Sequence, residues 1–187
     1  MKHRAQVIID PYSADWPRRY EEEQRRLRTV LPAHFRLEHI GSTSVPGLPA
    51  KPIIDVMLGA SSLREIEEQI PKLESLGYEY VSRHEAEIPA RRFFAKPTLR
   101  PRHFHLHGVV QAGDLWADYL ALRDRLRNDT TLAARYAALK FGLAAEFGDD
   151  RAGYTDAKTD FILRAIGRPP RMSPNVSLKP MPLRGTA

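Results

Sequence analysis

The chain has 187 residues, of which 42% are hydrophobic and 28% are charged, and it contains no cysteine. This balance is typical of a folded, water-soluble chain, and the length suits one hydrophobic core. The absence of cysteine excludes disulfides, thiolate metal ligands and a cysteine nucleophile. No apolar run approaches the roughly 18 residues of a membrane helix, so we expect a cytoplasmic protein with no membrane partner.

The net charge of +6 is concentrated at the C-terminus. Residues 167–187 contain four basic residues and no acid, which leaves +2 for the rest of the chain. Five prolines in this segment also argue against a packed structure. We therefore predict a domain over residues 1–166 followed by a disordered, Pro-rich basic tail, and we do not expect nucleic acid as a partner.

The first half of the chain predicts one helix, two strands and a second helix. The first helix should begin after Asp15 as its N-cap and continue to about residue 31. Strands are predicted over 36–42 and 52–58, and the second is too apolar to be an edge strand. The next helix should cover 61–77, with Ser61 or Ser62 as its cap and a kink at Pro71.

The second half predicts strands followed by helices. Residues 78–83, 91–96 and 102–110 have the spacing of an antiparallel meander, and helices are predicted over 115–128, 132–147 and 155–166. The sequence therefore predicts an α+β fold, with a mixed sheet of about five strands, an N-terminal helix and a C-terminal helical layer.

The segment EHIGSTSVPGLPAKPIIDVML, residues 38–58, carries the densest chemical information. Gly41 and Ser42 follow a strand, where free backbone N–H groups and a hydroxyl can hold phosphate oxygens. Asp55 lies within an apolar strand, where a carboxylate is costly unless a cation or a donor compensates it. The alternative is structural: Gly41 only makes a turn, and Asp55 forms a buried ion pair with Lys51 or an arginine.

The string HIGSTSVPGLPAKPIIDV resembles the signature of the GrpB family, and the resemblance extends to DPYSADWP, RRFF, HLH and YTDAKTDFI. The resemblance implies a nucleotidyltransferase-like fold, in which Gly41 and Ser42 form the phosphate turn and Asp55 is the catalytic metal carboxylate. Met57 occupies the position of the second carboxylate, and a thioether does not replace a carboxylate for Mg²⁺. Fusions of family members to dephospho-CoA kinase further imply a CoA-linked role.

Three histidines alternate with apolar residues in RHFHLHGVV, so a strand would place His103, His105 and His107 on one face. Together with Asp55 they could form a metal site that favours Mn²⁺, Zn²⁺, Ni²⁺ or Fe²⁺ over Mg²⁺. We assign metal binding to Asp55, His105 and His107, and a catalytic role to His105. One alternative is a solvent-facing histidine row, and another is a histidine-triad nucleotide hydrolase with His105 as nucleophile.

Several basic residues could bind the phosphates of a nucleotide or of a CoA-type ligand. Lys51, Arg92 and Arg102 lie on or beside the predicted strands. Lys140 and Lys158 lie in predicted helices at positions where the resemblance also implies lysine. Tyr154 is one helical turn before Lys158, so both side chains should point the same way.

Three functions therefore remain open. The first is a divergent, metal-dependent nucleotidyl or phosphoryl transferase, and the second is a non-catalytic accessory domain that binds a nucleotide or CoA. The third is an interaction protein that uses its basic tail and its helical layer. The sequence leaves the oligomeric state open.

Overall fold

The computed structural model describes residues 8–99, 101–148 and 150–169. Its centre is a five-stranded sheet in the order β1-β2-β5-β4-β3. The strands are β1 (Arg36–Ile40), β2 (Ile54–Ala60), β3 (Glu79–Tyr80), β4 (Arg91–Lys96) and β5 (Phe104–Val110). β2 and β5 are parallel and the other neighbours are antiparallel. The mixed sheet, the interior position of β2 and the β3-β4-β5 meander are confirmed; the nucleotidyltransferase-like fold stays a prediction.

Seven α-helices surround the sheet in the part of the chain that the structure describes. They are α1 (Asp15–Arg28), α2 (Leu63–Glu67), α3 (Ile70–Ser75), α4 (Asp114–Asn128), α5 (Thr130–Phe147), α6 (Arg151–Ala157) and α7 (Thr159–Ala165). The N-terminal helix and the C-terminal helical layer are confirmed. Within the described ranges, none of the helices combines the length and the apolar character needed to cross a membrane.

Three details of the helices differ from the prediction. Asp15 is the first residue of α1 and not its cap, because Ser13 already accepts the Asp15 backbone N–H at 3.2 Å. The predicted helix over 61–77 is two helices, α2 and α3. Pro71 lies in the first turn of α3, where its missing N–H costs no hydrogen bond within the helix. Ser62 caps the first one. The predicted last helix is divided at Lys158 into α6 and α7.

The two faces of the sheet have different partners. Ile54, Val56 and Leu58 of β2 belong to the main core, which also contains residues of α1, α2 and α3. The alternate residues of β2, including Met57, lie on the opposite face, where Met57 packs against α4. Asp55 lies on this second face, because side chains alternate along a strand.

The predicted tail falls largely outside the described residues, of which the last three, 167–169, follow α7. Its predicted disorder and the domain boundary at residue 166 therefore stay predictions.

Candidate functional site

The pairing of β2 with β5 brings Asp55 together with two histidines. Asp55 is opposite His105 in the register, and Met57 is opposite His107. The Asp55 Oδ1 atom lies 3.3 Å from Nδ1 of His105 and 3.1 Å from Nε2 of His107. One ligand atom from each of the three residues lies within 4.8 Å of the other two. The predicted convergence of Asp55, His105 and His107 is confirmed.

These spacings fit a divalent metal. With bonds of about 2.0–2.1 Å, the ligand atoms of a tetrahedral zinc site are about 3.3–3.4 Å apart. The two distances from the Asp55 carboxylate are close to that value. One carboxylate and two imidazoles form a donor set that suits Zn²⁺, Mn²⁺, Ni²⁺ or Fe²⁺ better than Mg²⁺.

Two further residues named in the sequence analysis do not contribute to the group of ligand atoms. His103 precedes β5 and is exposed, and it does not belong to the group of Asp55, His105 and His107. Met57 is fully buried between Ile40 and Val109. Met57, at the position where the resemblance implied a second carboxylate, is therefore part of the core.

The electrostatics of the site favour the protonation states that a metal requires. Burial would raise the pKa of Asp55, but hydrogen bonds from His105 and His107 outweigh it and hold the pKa well below its usual value. Burial lowers the pKa of His107 to about 4, although Asp55 acts in the opposite direction. At neutral pH the site therefore offers a carboxylate beside a neutral imidazole. The side chains of Asp55 and His105 are 26% and 25% exposed, so a ligand can reach them.

The histidine rings are held in place by residues that the sequence did not indicate. The Tyr119 hydroxyl of α4 lies 3.5 Å from Nδ1 of His107 and accepts a hydrogen bond from Arg91 at 3.3 Å. The Phe93 ring lies 5.1 Å from the His105 ring and 5.3 Å from the His107 ring, between centroids. Such outer contacts orient metal-binding imidazoles. Period-two alternation along RRFF is the signal that could have placed Phe93 on this face, and nothing in the sequence places Tyr119 beside this strand.

The Gly41 turn lies directly against the Asp55 carboxylate. Gly41 has φ +70°, and a Cβ atom placed on it would lie 2.5 Å from Oδ2 of Asp55. The Ser44 hydroxyl donates to the Gly41 carbonyl at 2.6 Å. Arg127 of α4 donates to the Ser44 carbonyl at 2.8 and 3.0 Å. The turn is therefore a fixed wall of the site, and only glycine fits at its closest point.

A second cluster of polar side chains begins at Ser42. Burial raises the pKa of Tyr136, and a hydrogen bond with the Ser42 side chain acts in the opposite direction. The Lys140 Nζ atom lies 4.9 Å from the centre of the Tyr136 ring and donates to the Pro49 carbonyl. The turn is thereby connected to α5.

Two further lysines complete this second cluster. The Nζ atoms of Lys51 and Lys158 lie 4.1 and 4.2 Å from the centre of the Tyr154 ring. The predicted common direction of Tyr154 and Lys158 is therefore confirmed. We call Lys51, Lys140, Lys158 and the two tyrosines the lysine cluster.

Charge connects the lysine cluster with the metal-site residues. Burial, together with a smaller contribution from repulsion by Lys158, lowers the pKa of Lys140 to about 7. Burial also lowers the pKa of Lys158 to about 8, against an attraction by Asp55 that raises it. Asp55 and Lys158 are thus close enough to interact electrostatically.

Two predicted phosphate ligands lie elsewhere, and this part of the prediction is corrected. Arg92 is opposite Gly108 in the register, on the face away from Asp55, and it donates to Glu67 at 2.6 Å. Arg102 forms an ion pair with Glu79 of β3, at the far edge of the sheet. Both guanidinium groups bind carboxylates of the protein, and the structure does not bring them to Asp55.

Fold and site together define an α+β protein with an acid–histidine site beside a glycine turn. A family model described as GrpB protein matches residues 6–168. The chain belongs to the GrpB family.

Individual relatives agree with this assignment. The "Glutamate-rich protein GrpB" of Alkalihalophilus pseudofirmus is 32% identical over 86% of this chain and 94% of its own length. The crystal structure of the conserved protein GrpB from Enterococcus faecalis superposes with a TM-score of 0.75, at 32% identity, over 86% of this chain and 95% of that one. A dephospho-CoA kinase of Mycolicibacterium paratuberculosis is 32% identical over 88% of this chain, which matches 46% of that protein.

Proposed function

We propose that this protein binds a divalent metal at Asp55, His105 and His107 and thereby holds the phosphates of a nucleotide or CoA-type ligand for nucleotidyl or phosphoryl transfer. The observation that carries the proposal is the convergence of one carboxylate and two imidazoles at ligand spacing. A bound divalent metal would neutralise phosphate charge at this place.

The chain's own residues account for the other requirements of such a ligand. Gly41 has no side chain, so the Asp55 carboxylate can lie directly against the turn at the wall of the site. The Ser42 hydroxyl next to it can donate to a phosphate oxygen. The His105 side chain is 25% exposed, so its imidazole can contact a bound ligand directly.

A non-catalytic accessory domain is the second candidate function, because Met57 fills the place of the second carboxylate and is completely buried. The similarity to part of a dephospho-CoA kinase supports a CoA-type ligand for this candidate. Both functions involve a nucleotide or CoA-type ligand, and they differ in whether that ligand reacts and whether it needs the metal.

The test is ligand binding by the full chain with and without metal. Thermal-shift measurements with Mn²⁺, Zn²⁺, Ni²⁺ or Mg²⁺, combined with ATP, ADP, CoA or dephospho-CoA, should show metal-strengthened binding that EDTA reverses. Asp55→Asn and Ser42→Ala should weaken it. Glu74→Gln, an acid-to-amide change on exposed α3, is the matched control and should have no effect.

Different outcomes separate the mechanisms. A nucleotidyl adduct on His105 by mass spectrometry would establish the histidine-triad mechanism and refute metal-dependent transfer. Binding that ignores both EDTA and Asp55→Asn would support the metal-independent accessory domain. Metal-dependent binding with no turnover of any nucleotide would support a metal-dependent binding module.

A further inference from the structure

Arg91 lies on the same face of the sheet as the proposed metal ligands. Phe93, whose ring contacts the His105 and His107 rings, is two residues further along β4, and side chains at this spacing share a face. The Cζ atom of Arg91 lies 5.0 Å from the centre of the Phe93 ring. Its Nη1 atom donates to the Tyr119 hydroxyl at 3.3 Å, and that hydroxyl lies 3.5 Å from Nδ1 of His107. Tyr119 alone therefore separates the guanidinium group from a proposed metal ligand.

This guanidinium group is half-buried and has no anionic partner. Among the residues that the structure describes, no carboxylate lies within ion-pair distance of Arg91, and the side-chain acceptor of its Nη1 group is the Tyr119 hydroxyl. The Nε atom of Arg91 is buried and has no acceptor within the described part of the chain. By contrast, the adjacent Arg92 donates to the Glu67 carboxylate at 2.6 Å. Because a desolvated cation is costly without an anion, we expect a ligand to supply one to Arg91.

The charge of Arg91 also conflicts with the proposed metal ion. A guanidinium group and a divalent cation on either side of His107 and Tyr119 repel each other, and the repulsion is weakly screened because Tyr119 and His107 are shielded from water. A purely structural role for Arg91 leaves this repulsion uncompensated. An anion that contacts both cations removes it and supplies the acceptor that the guanidinium group lacks.

The position of Arg91 in the sheet agrees with this role. In the strand order β1-β2-β5-β4-β3, the turn at Gly41 follows β1, on one side of the Asp55 and histidine strands, and Arg91 belongs to β4, on the other side. Because side chains alternate along β4, only one of its two consecutive arginines faces the site, and Arg92 binds Glu67 on the opposite face. A guanidinium group is planar and presents several N–H donors, which suits an oxyanion.

We propose that Arg91 is the anion-binding arginine of this site, and that the phosphate-type oxyanion it binds also contacts the divalent ion at Asp55, His105 and His107. The inference rests on the proposed function for the metal ion. An oxyanion between two cations screens them from each other, so the anion and the metal bind cooperatively, and each strengthens the binding of the other by the same factor. A phosphate group carries about two negative charges and has oxygens in several directions, so it can contact both cations.

The experiment measures Mn²⁺ and orthophosphate binding by calorimetry for the full chain and for Arg91→Met. In the Mn²⁺-loaded protein, Arg91→Met should weaken orthophosphate binding by about 10- to 100-fold, the usual loss for a hydrogen bond to a charged group. Without phosphate, the same substitution should strengthen Mn²⁺ binding by about two- to tenfold, because it removes the repulsion. Arg25→Met, at an exposed arginine of α1 on the opposite face of the sheet, is the control and should change neither affinity.

Arg91→Lys separates the charge of this residue from its shape. Lysine keeps the positive charge, so Mn²⁺ affinity without phosphate should equal that of the parent. It lacks the planar guanidinium group, so orthophosphate binding should still weaken, by at least about threefold. This variant also carries the test if circular dichroism shows that Arg91→Met does not fold. A structural role for Arg91 would instead lower the affinities for both ligands together, and that result would overturn the inference.

Separate measurement of the two ligands distinguishes this inference from the proposed function. Parental orthophosphate affinity in the folded Arg91 variants would overturn the anion site and leave the metal site intact. Orthophosphate that fails to strengthen Mn²⁺ binding would refute the contact of one anion with both cations. If the parent binds no Mn²⁺ but binds orthophosphate in a way that depends on Arg91, the arginine site stands and the metal-dependent function fails.

Discussion

Replacing Gly41 with alanine should disturb the fold and the proposed metal site together. Gly41 has φ +70° and ψ −175°, a backbone region that is almost restricted to glycine and costs other residues about 1–3 kcal/mol. The new Cβ atom would also lie 2.5 Å from the Asp55 carboxylate, well inside van der Waals contact. The carboxylate or the turn must therefore move, and Asp55 loses its position relative to His105 and His107.

Gly47→Ala is a matched control for the backbone contribution. Gly47 has φ +76°, but a Cβ atom there would meet nothing within 4 Å. We expect Gly47→Ala to lower the free energy of unfolding by about 1–2 kcal/mol, and Gly41→Ala by about 2–4 kcal/mol. Only Gly41→Ala should weaken Mn²⁺ binding, measured by titration beside urea denaturation. Equal losses of stability, with parental Mn²⁺ affinity for both variants, would refute the close contact between Gly41 and Asp55.

Three other predictions concern buried ionisable groups. Burial lowers the pKa of His39 to about 4, so between pH 6.5 and 4 the unfolded chain binds more protons than the folded chain. The free energy of unfolding should therefore decrease as the pH is lowered from 6.5 to 4. In urea melts, His39→Gln should reduce this pH dependence by up to about 1.4 kcal/mol per pH unit. Burial lowers the pKa of Lys140 to about 7, so the free energy of unfolding should rise from pH 7 towards 10.5. Lys140→Met should reduce this rise and leave the part that comes from Lys158, whose pKa is lowered to about 8. An unchanged difference between urea melts at pH 7 and 9 would contradict the burial of the Lys140 charge. Glu23 is buried and accepts hydrogen bonds from Tyr78 at 3.0 Å and from Lys96 at 2.8 Å. Glu23→Ala should therefore lower the free energy of unfolding, measured by chemical denaturation, by about 3–5 kcal/mol. A loss below about 1 kcal/mol would show that this network contributes little to stability.

Local pattern was sufficient to predict most of the elements. A run of apolar and β-branched residues located β2, alternation located β5, and helical periodicity located α1, α4 and α5. Boundaries were less accurate, since the predicted helix over 61–77 is divided by a turn before Pro71. Capping groups compete over one or two residues, and periodicity does not resolve that competition.

The histidine positions show what pattern can establish about a site. Alternation along β5 placed His105 and His107 on one face, and the apolar surroundings of Asp55 indicated a carboxylate that needs a partner. These are properties of neighbouring residues in the chain. The metal-ligand group could therefore be proposed from the sequence, and the register of β2 with β5 supplied its distances.

The arginines show the limit of the same reasoning. For Arg92 and Lys140, the neighbouring residues in the sequence do not indicate where the side chain points. In the structure Arg92 binds Glu67 on the face away from Asp55, whereas Lys140 is buried near Ser42 and Tyr136. The sequence by itself determined most of the helices and strands, the common face of His105 and His107, and the glycine at the turn. These features depend on residues that are neighbours along the chain. Only the tertiary structure decided which cations lie near Asp55 and that Tyr119 contacts His107. Those contacts join residues far apart in sequence, so they depend on the order of the strands and on how α4 and α5 pack.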